Sequence, residues 1–471
     1  MKKIVFLFSV FILLFRCNEG PVSPQDSFND QFQHLFNEVE SIRGEKFSRN
    51  VQVETVKNKD VKNLMDSLLY GGIIDDYIIE EAKLYVAFGF VSSIDEYFED
   101  NESHLEQDIG GFYIEGLEKL YIVYNNSLLE IEEYVIVHEL THALQDQRHD
   151  LTAYSRGAKT LDEAVARSYI IEGEANYVMS IFDICNYADI DYRYIQQSFL
   201  DTIFPPYTIR AFSDLLVEYN VLAPAYITLS STHKYYHGMF IVNSGIKHGG
   251  WQEIDSWFLN PPISTEQMIH WAENLTYNKP CSFVPVYHFT GLPNSSALLD
   301  NGTLGELYIT VLLYCNGVTD YDIAGSGWAG DQYWVFENKS KGEFYLIWYT
   351  TWDTDKDAVE FFKAYRNLLV NSGKEYLQVE LVEDSLFCSE SGEKKLCNRV
   401  IKTGNDVLIA KSVPVSGIET IFNELKQVKE PSEILAKTGV ATHDELKSHF
   451  RVRYSGKKIL RKYHEGLISN R

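Results

Sequence analysis

Apolar residues recur along this chain at two spacings, and the dominant spacing changes near residue 281. Phe32, Leu35, Phe36 and Val39 repeat at helical intervals, as do Val61, Leu64, Leu68 and Leu69. Residues 28–98 are therefore predicted to be mostly helical. Gly110–Ile114 and Leu120–Tyr124 read as two strands around a Gly-containing turn. Ile131, Val135, Leu140 and Leu144 then mark a helix, with Ser127 and Glu130 as its capping box. A second box, Thr160 with Glu163, opens a helix that continues through Val165, Tyr169 and Ile170. Residues 209–274 read as largely helical again, with a further helix start at Ser264 and Gln267.

Beyond Cys281 the text becomes strand-rich. Tyr333–Phe336 and Phe344–Tyr349 read as one hairpin, Asp357–Leu369 as a helix, and Val400–Lys402 with Val407–Ala410 as a second hairpin. Helical spacing resumes at Ile418. The predicted fold class is α+β: a largely helical region with a β-hairpin (residues 28–280), then a smaller α+β domain (281–415) and a helical, basic C-terminal tail (416–471). Asp331, in Gly327-Trp-Ala-Gly-Asp331, is expected to be a turn or capping residue.

The chemistry concentrates in Val135-Ile-Val-His138-Glu139-Leu-Thr-His142. Positions four apart share one face of a helix, so His138 and His142 can direct both imidazoles at one metal ion. Glu139 sits beside them, placed to act as general base on a water. Catalytic zinc usually takes a third protein ligand. Glu172-Gly173-Glu174-Ala175-Asn176 lies on the next helix and offers two carboxylates. They are two residues apart and face different ways, so only one can bind; Glu172 is the expected ligand and Glu174 the alternative. Asn176, one turn after Glu172, is expected to hydrogen-bond a ligating histidine. Gly173 in mid-helix predicts close packing, because glycine there costs about 1 kcal/mol. Tyr235, His237 and His270 are candidate donors to an oxyanion.

The His138-Glu-x-x-His142 helix followed by Glu172 resembles the gluzincin class of zinc metallopeptidases. A closer similarity is to uncharacterised prokaryotic envelope proteins that carry His138-Glu-Leu-Thr-His-Ala-Leu-Gln-Asp-Gln147 with a later Glu-Gly-Glu-Ala. Gly111-Phe-Tyr113, Pro262-Ile-Ser-Thr-Glu-Gln267 and Gly327-Trp-Ala-Gly-Asp331 look shared too, so the likeness spans about residues 60–365. It implies a zincin-like fold, Zn²⁺ as cofactor and peptide-bond hydrolysis on a peptide or protein substrate. It also implies that one strand of the 110–124 hairpin pairs with extended substrate; an ordinary structural hairpin is the alternative. The alternative function is a catalytically inactive zincin-like binding or structural lipoprotein, in which there is no physical need to keep Glu139.

Composition narrows the partners. With 471 residues and a net charge of −25, the chain would repel nucleic acid. Lys2, Lys3 and the apolar Ile4–Phe15 read as an export signal, residues 1–17, and residues 18–27 as a tether. Cys17 is the expected lipid-anchor site, giving a cell-envelope location; a plain secretion signal is the alternative. Of the other cysteines, Cys388 and Cys397 flank a turn-rich loop and are expected to form a hairpin disulfide. Cys281 with Cys315 is a second expected pair, which leaves Cys185 over.

Overall fold

A computed structural model describes residues 24–69, 74–105, 110–125, 132–218, 224–271, 280–371, 376–381, 384–389, 396–429 and 452–454. The expected export signal, Cys17, most of the expected tether and most of the expected basic tail lie outside them. The N-terminal part carries helix α1 (Pro24–Arg43), strand β1 (Gln52–Lys57), and helices α2 (Asn58–Leu69), α3 (Ile74–Phe88) and α4 (Ile94–Leu105). Strands β2 (Gly111–Ile114) and β3 (Lys119–Tyr124) form the expected hairpin around a short 3-10 turn. The helical body follows: α5 (Glu133–His149), α6 (Leu151–Arg156), α7 (Leu161–Ala188), α8 (Gln197–Ile203), α9 (Ile209–Glu218), α10 (Ala225–Gly249), α11 (Trp251–Leu259) and α12 (Thr265–Ile269). The strand-rich part is β4 (Ala297–Gly302), α13 (Gly305–Cys315), α14 (Tyr321–Gly325), β5 (Trp328–Asn338), β6 (Glu343–Trp352) and α15 (Asp355–Asn371). It continues with β7 (Tyr376–Leu381), β8 (Asp384–Ser389), β9 (Leu396–Thr403), β10 (Asp406–Pro414) and α16 (Ile418–Leu425); β11 (Val452–Tyr454) ends the described chain. The protein is α+β.

The strands form two sheets. One has the order β1-β3-β2-β11, with β1 parallel to β3 and the other pairs antiparallel; the other runs β4-β5-β6-β10-β9-β8-β7. Strand β1 was not legible from its helical-looking surroundings. The large sheet is buried on both faces. Tyr333, Val335, Leu346 and Trp348 enter the main core, while Trp334, Phe336, Tyr345 and Ile347 enter a second cluster with α16. Strict alternation thus feeds two cores, which is why Tyr333–Phe336 reads as an unbroken apolar run.

The change of texture near Cys281 is not a gap in packing. One hydrophobic cluster runs from Phe32 to Ile409. Lys83 of α3 pairs with Glu337 of β5 at 2.9 Å, and Lys411 of β10 donates to the carbonyls of Ala87 and Phe88 at the end of α3. Cys388 and Cys397 are joined, opposite one another across β8 and β9. Cys281 and Cys315 do not pair, contrary to expectation. The Cys281 amide is tied to the Ala329 carbonyl at the start of β5, whereas Cys315 closes α13; both are free thiols, as is Cys185. No helix among the described residues is long and apolar enough to cross a membrane.

Candidate metal centre

Helix α5 begins behind Glu132, with no side-chain cap. Residues 126–131, where the Ser127–Glu130 box was expected, lie outside the described chain. Every residue from Val135 to Asp146 is buried, so both motif histidines sit in the interior. They stand one turn apart with ring planes at 90°, and their Nε2 atoms are 3.0 Å apart.

The third group comes from α7. Thr160 caps it by accepting from the Glu163 amide, as predicted. Glu163 does not close the box on Thr160; it accepts from the Lys159 amide and pairs with Arg167. Three turns on, Glu172 directs Oε2 to 3.6 Å from His138 Nε2 and 3.4 Å from His142 Nε2. Gly173 fixes this placement. A Cβ there would lie 2.5 Å from the backbone of Gly238, so α7 and α10 cross backbone to backbone. That crossing brings in Lys234, one turn before Gly238, whose Nζ lies 3.7 Å from Glu172 Oε1.

Glu174 turns the other way, as two-residue spacing requires. It accepts from Arg43 Nε of α1 and from Gln145 Nε2 of α5. Gln145 also donates to the Ile171 carbonyl, so its Nε2 is committed twice as donor. Its Oε1, 2.9 Å from His142 Nδ1, must then accept. This sets the proton on His142 Nδ1 and turns the Nε2 lone pair toward Glu172. Asn176 lies beside His138 and favours its charged form. Both polar atoms of the Asn176 side chain and His138 Nδ1 are buried, and no other hydrogen-bond partner reaches them.

The electrostatics match a cation. Burial pushes His138 down to about 4, so its ring is neutral and its lone pair available at pH 7. Burial alone would raise the Glu172 carboxyl. The charge of Lys234, with the two imidazoles beside it, outweighs burial and holds the group well below the usual carboxylate range. A metal needs deprotonated ligands, and both are in that state. The three donor atoms define edges of 3.0, 3.4 and 3.6 Å. A tetrahedral ion with bonds of ~2.0–2.1 Å requires edges of about 3.3 Å. The buried His138–His142–Glu172 group can therefore bind a metal ion.

Glu139 is fully buried on α5. A Cβ on Gly111 would stand 3.4 Å from its Cγ, so β2 passes directly over it. Tyr113 of the same strand donates to Asp146 Oδ2 at 2.8 Å and ties β2 to the last turns of α5. Of the three candidate oxyanion donors, Tyr235 lies beside the triad, its ring centroid 6.2 Å from that of His138. His237 does not join the site. Its Nδ1 accepts from the Tyr207 amide and its Nε2 donates to the Met268 carbonyl, so both nitrogens serve backbone groups. His270 does not join it either, because its Nε2 bonds Glu306 at 2.8 Å. Lys234, Gln145 and Arg43 are the site residues that sequence reasoning missed. Gln145 could have been found, since it lies three residues after His142 on the same helical face.

A family described as Domain of unknown function (DUF8575) matches residues 296–421. That span runs from β4 into α16 and contains neither the triad nor Glu139. No curated protein and no solved structure matches the chain.

Proposed function

We propose that this chain is a zinc-dependent peptide-bond hydrolase, with His138, His142 and Glu172 as metal ligands and Glu139 as general base. One observation carries the reading: two imidazole nitrogens and one carboxylate oxygen from separate helices converge within 3.0–3.6 Å, with a further buried carboxylate adjacent in sequence. Two histidines and one glutamate are a donor set typical of catalytic zinc. Zinc held there acidifies water and polarises a carbonyl.

The chain's own residues do the rest. Glu139 takes a proton from water at its carboxylate as the water oxygen joins the carbonyl carbon. It then gives that proton to the amine nitrogen as the carbon–nitrogen bond breaks. Lys234 keeps Glu172 ionised, and Gln145 keeps His142 in the tautomer whose Nε2 faces the centre. Tyr235, beside His138, is the residue we assign as donor to the developing oxyanion. The apolar, basic-flanked start of the chain and Cys17 support export to the cell envelope on a lipid anchor.

Glu139→Gln tests the role directly. The variant is expected to retain one zinc per chain by metal analysis and to lose peptide hydrolysis by about 10²–10⁴-fold. Undiminished turnover at full zinc content would remove Glu139 from the reaction.

A further inference from the structure

The two oxygens of Glu172 meet different neighbours. Oε2 lies 3.6 Å from His138 Nε2 and 3.4 Å from His142 Nε2, and forms the third corner of the triad. Oε1 lies 3.7 Å from Lys234 Nζ, an ion-pair distance. Glu172 is 1% exposed and Lys234 3%, so bulk water screens the pair little.

The backbone holds this ammonium close. A Cβ on Gly238 would stand 2.7 Å from the Tyr169 carbonyl oxygen, so α10 lies against α7 one turn beyond Lys234. Lys234 Nζ also sits 5.2 Å from the centroid of the Tyr235 ring. A lysine that served only to offset a buried charge could approach either oxygen. This one meets the oxygen that turns away from the imidazoles.

The choice of oxygen matters, because a carboxylate can give a metal one oxygen or both. Catalytic zinc takes three protein ligands and keeps a fourth position for water. A second oxygen from Glu172 would crowd that position.

We propose that Lys234 is a positioning residue that holds Glu172 Oε1 off the metal, restricts Glu172 to one-oxygen ligation and so leaves the fourth position to water. The proposal deepens the hydrolase reading and rests on it, since an open position matters only to a catalytic metal. Lys234 acts here through Glu172, as groups behind a ligand commonly do.

Cobalt(II) loaded into the full chain in place of zinc provides the test, because its visible absorption is intense with four donors and weaker with five or more. The wild type is expected to give the intense spectrum. Lys234→Met, saturated with cobalt, is expected to give the weaker one. X-ray absorption of the zinc-loaded proteins then identifies the added donor, because the carbon of a carboxylate bound through both oxygens lies closer to the metal. Lys234→Arg keeps a cation beside Oε1 and is expected to keep the wild-type spectrum. A side chain that merely packed or balanced charge would change stability and leave the number of donors alone. A Lys234→Met spectrum equal to that of the wild type overturns the proposal. So does a wild type whose Glu172 binds through both oxygens, a result that counts even if the methionine variant does not fold. None of these readouts needs turnover. A chain that passes them and hydrolyses nothing loses the hydrolase reading alone, and a working hydrolase that fails them loses only the role given to Lys234.

Discussion

Glu172 in the helical region and Asp331 in the strand region are both buried carboxylates, yet they meet different neighbours. Asp331 accepts four N–H groups. Its Oδ1 takes the Gly305 amide and Trp328 Nε1, and its Oδ2 the Leu304 amide and Trp348 Nε1. It caps α13 and pins two tryptophans, as a capping residue should. With no cation beside it, burial still raises its carboxyl above the usual range. Glu172 instead faces two imidazole nitrogens and a lysine, and is pulled the other way. A carboxylate saturated by neutral donors is structural. One that shares its focus with two lone-pair donors is equipped for a cation.

The largest expected effect comes from breaking the structural member. Asp331→Ala leaves four buried N–H groups without their acceptor, at about 1–3 kcal/mol each. The folded state should lose at least ~4 kcal/mol in urea unfolding, while whatever protein still folds binds zinc normally. A variant of unchanged stability with weakened zinc binding would reverse the roles assigned to the two carboxylates.

Much of this contrast was legible in the sequence. The i, i+4 histidines and the rule that only one of Glu172 and Glu174 can face them follow from helix geometry, and a turn or capping role for Asp331 follows from its Gly-Trp-Ala-Gly setting; which of the two glutamates turns inward was left to the fold. The close packing at Gly173 was legible too. What was not legible depends on distant chain crossings. Lys234 reaches Glu172 only because Gly173 and Gly238 let two helices touch, and no local pattern near residue 234 signals that. His237 and His270 could not be separated from Tyr235 for the same reason. All three recur near the same helices, but only the fold decides which ring turns inward. Strand β1 was missed because its pairing partner lies more than 60 residues away.

Lys234 gives the next effect. Lys234→Met leaves the Glu172 carboxylate buried without its cation. Breaking such a pair typically costs ~3–5 kcal/mol. The metal-free variant should lose stability on that order, and saturating zinc should restore more of it than zinc adds to the wild type. Adding Glu172→Gln to Lys234→Met should recover most of the metal-free stability and abolish zinc binding. If the single variant unfolds at the same urea concentration as wild type, Lys234 and Glu172 are not coupled.

The smallest effect per unit change is in pH, where buried imidazoles and buried carboxyls contribute with opposite sign. Burial lowers His138 and His233 in the helical region to about 4 and holds His237 well below the usual imidazole value, so each is neutral when folded and takes up a proton near 6.5 when unfolded. Between those values the unfolded chain binds more protons, so stability falls as pH falls. Each histidine contributes a slope of about 1.4 kcal/mol per pH unit there. Asp331 works in the opposite direction. Its raised carboxyl keeps a proton longer when folded, so its contribution is present at low pH and is lost as pH rises through the folded value. The three histidines together should therefore cost the metal-free protein roughly 4 kcal/mol per unit on acidification from about 6.5 toward 5, before the raised carboxyls of Glu81, Asp146, Asp162, Glu266 and Asp331 offset part of it. His233→Gln should reduce that histidine contribution by about a third, because the glutamine has no proton to gain. Stability that is flat from pH 7 to 5 would mean that these imidazoles are already charged in the folded chain, and a charged His138 could not offer a lone pair to a metal.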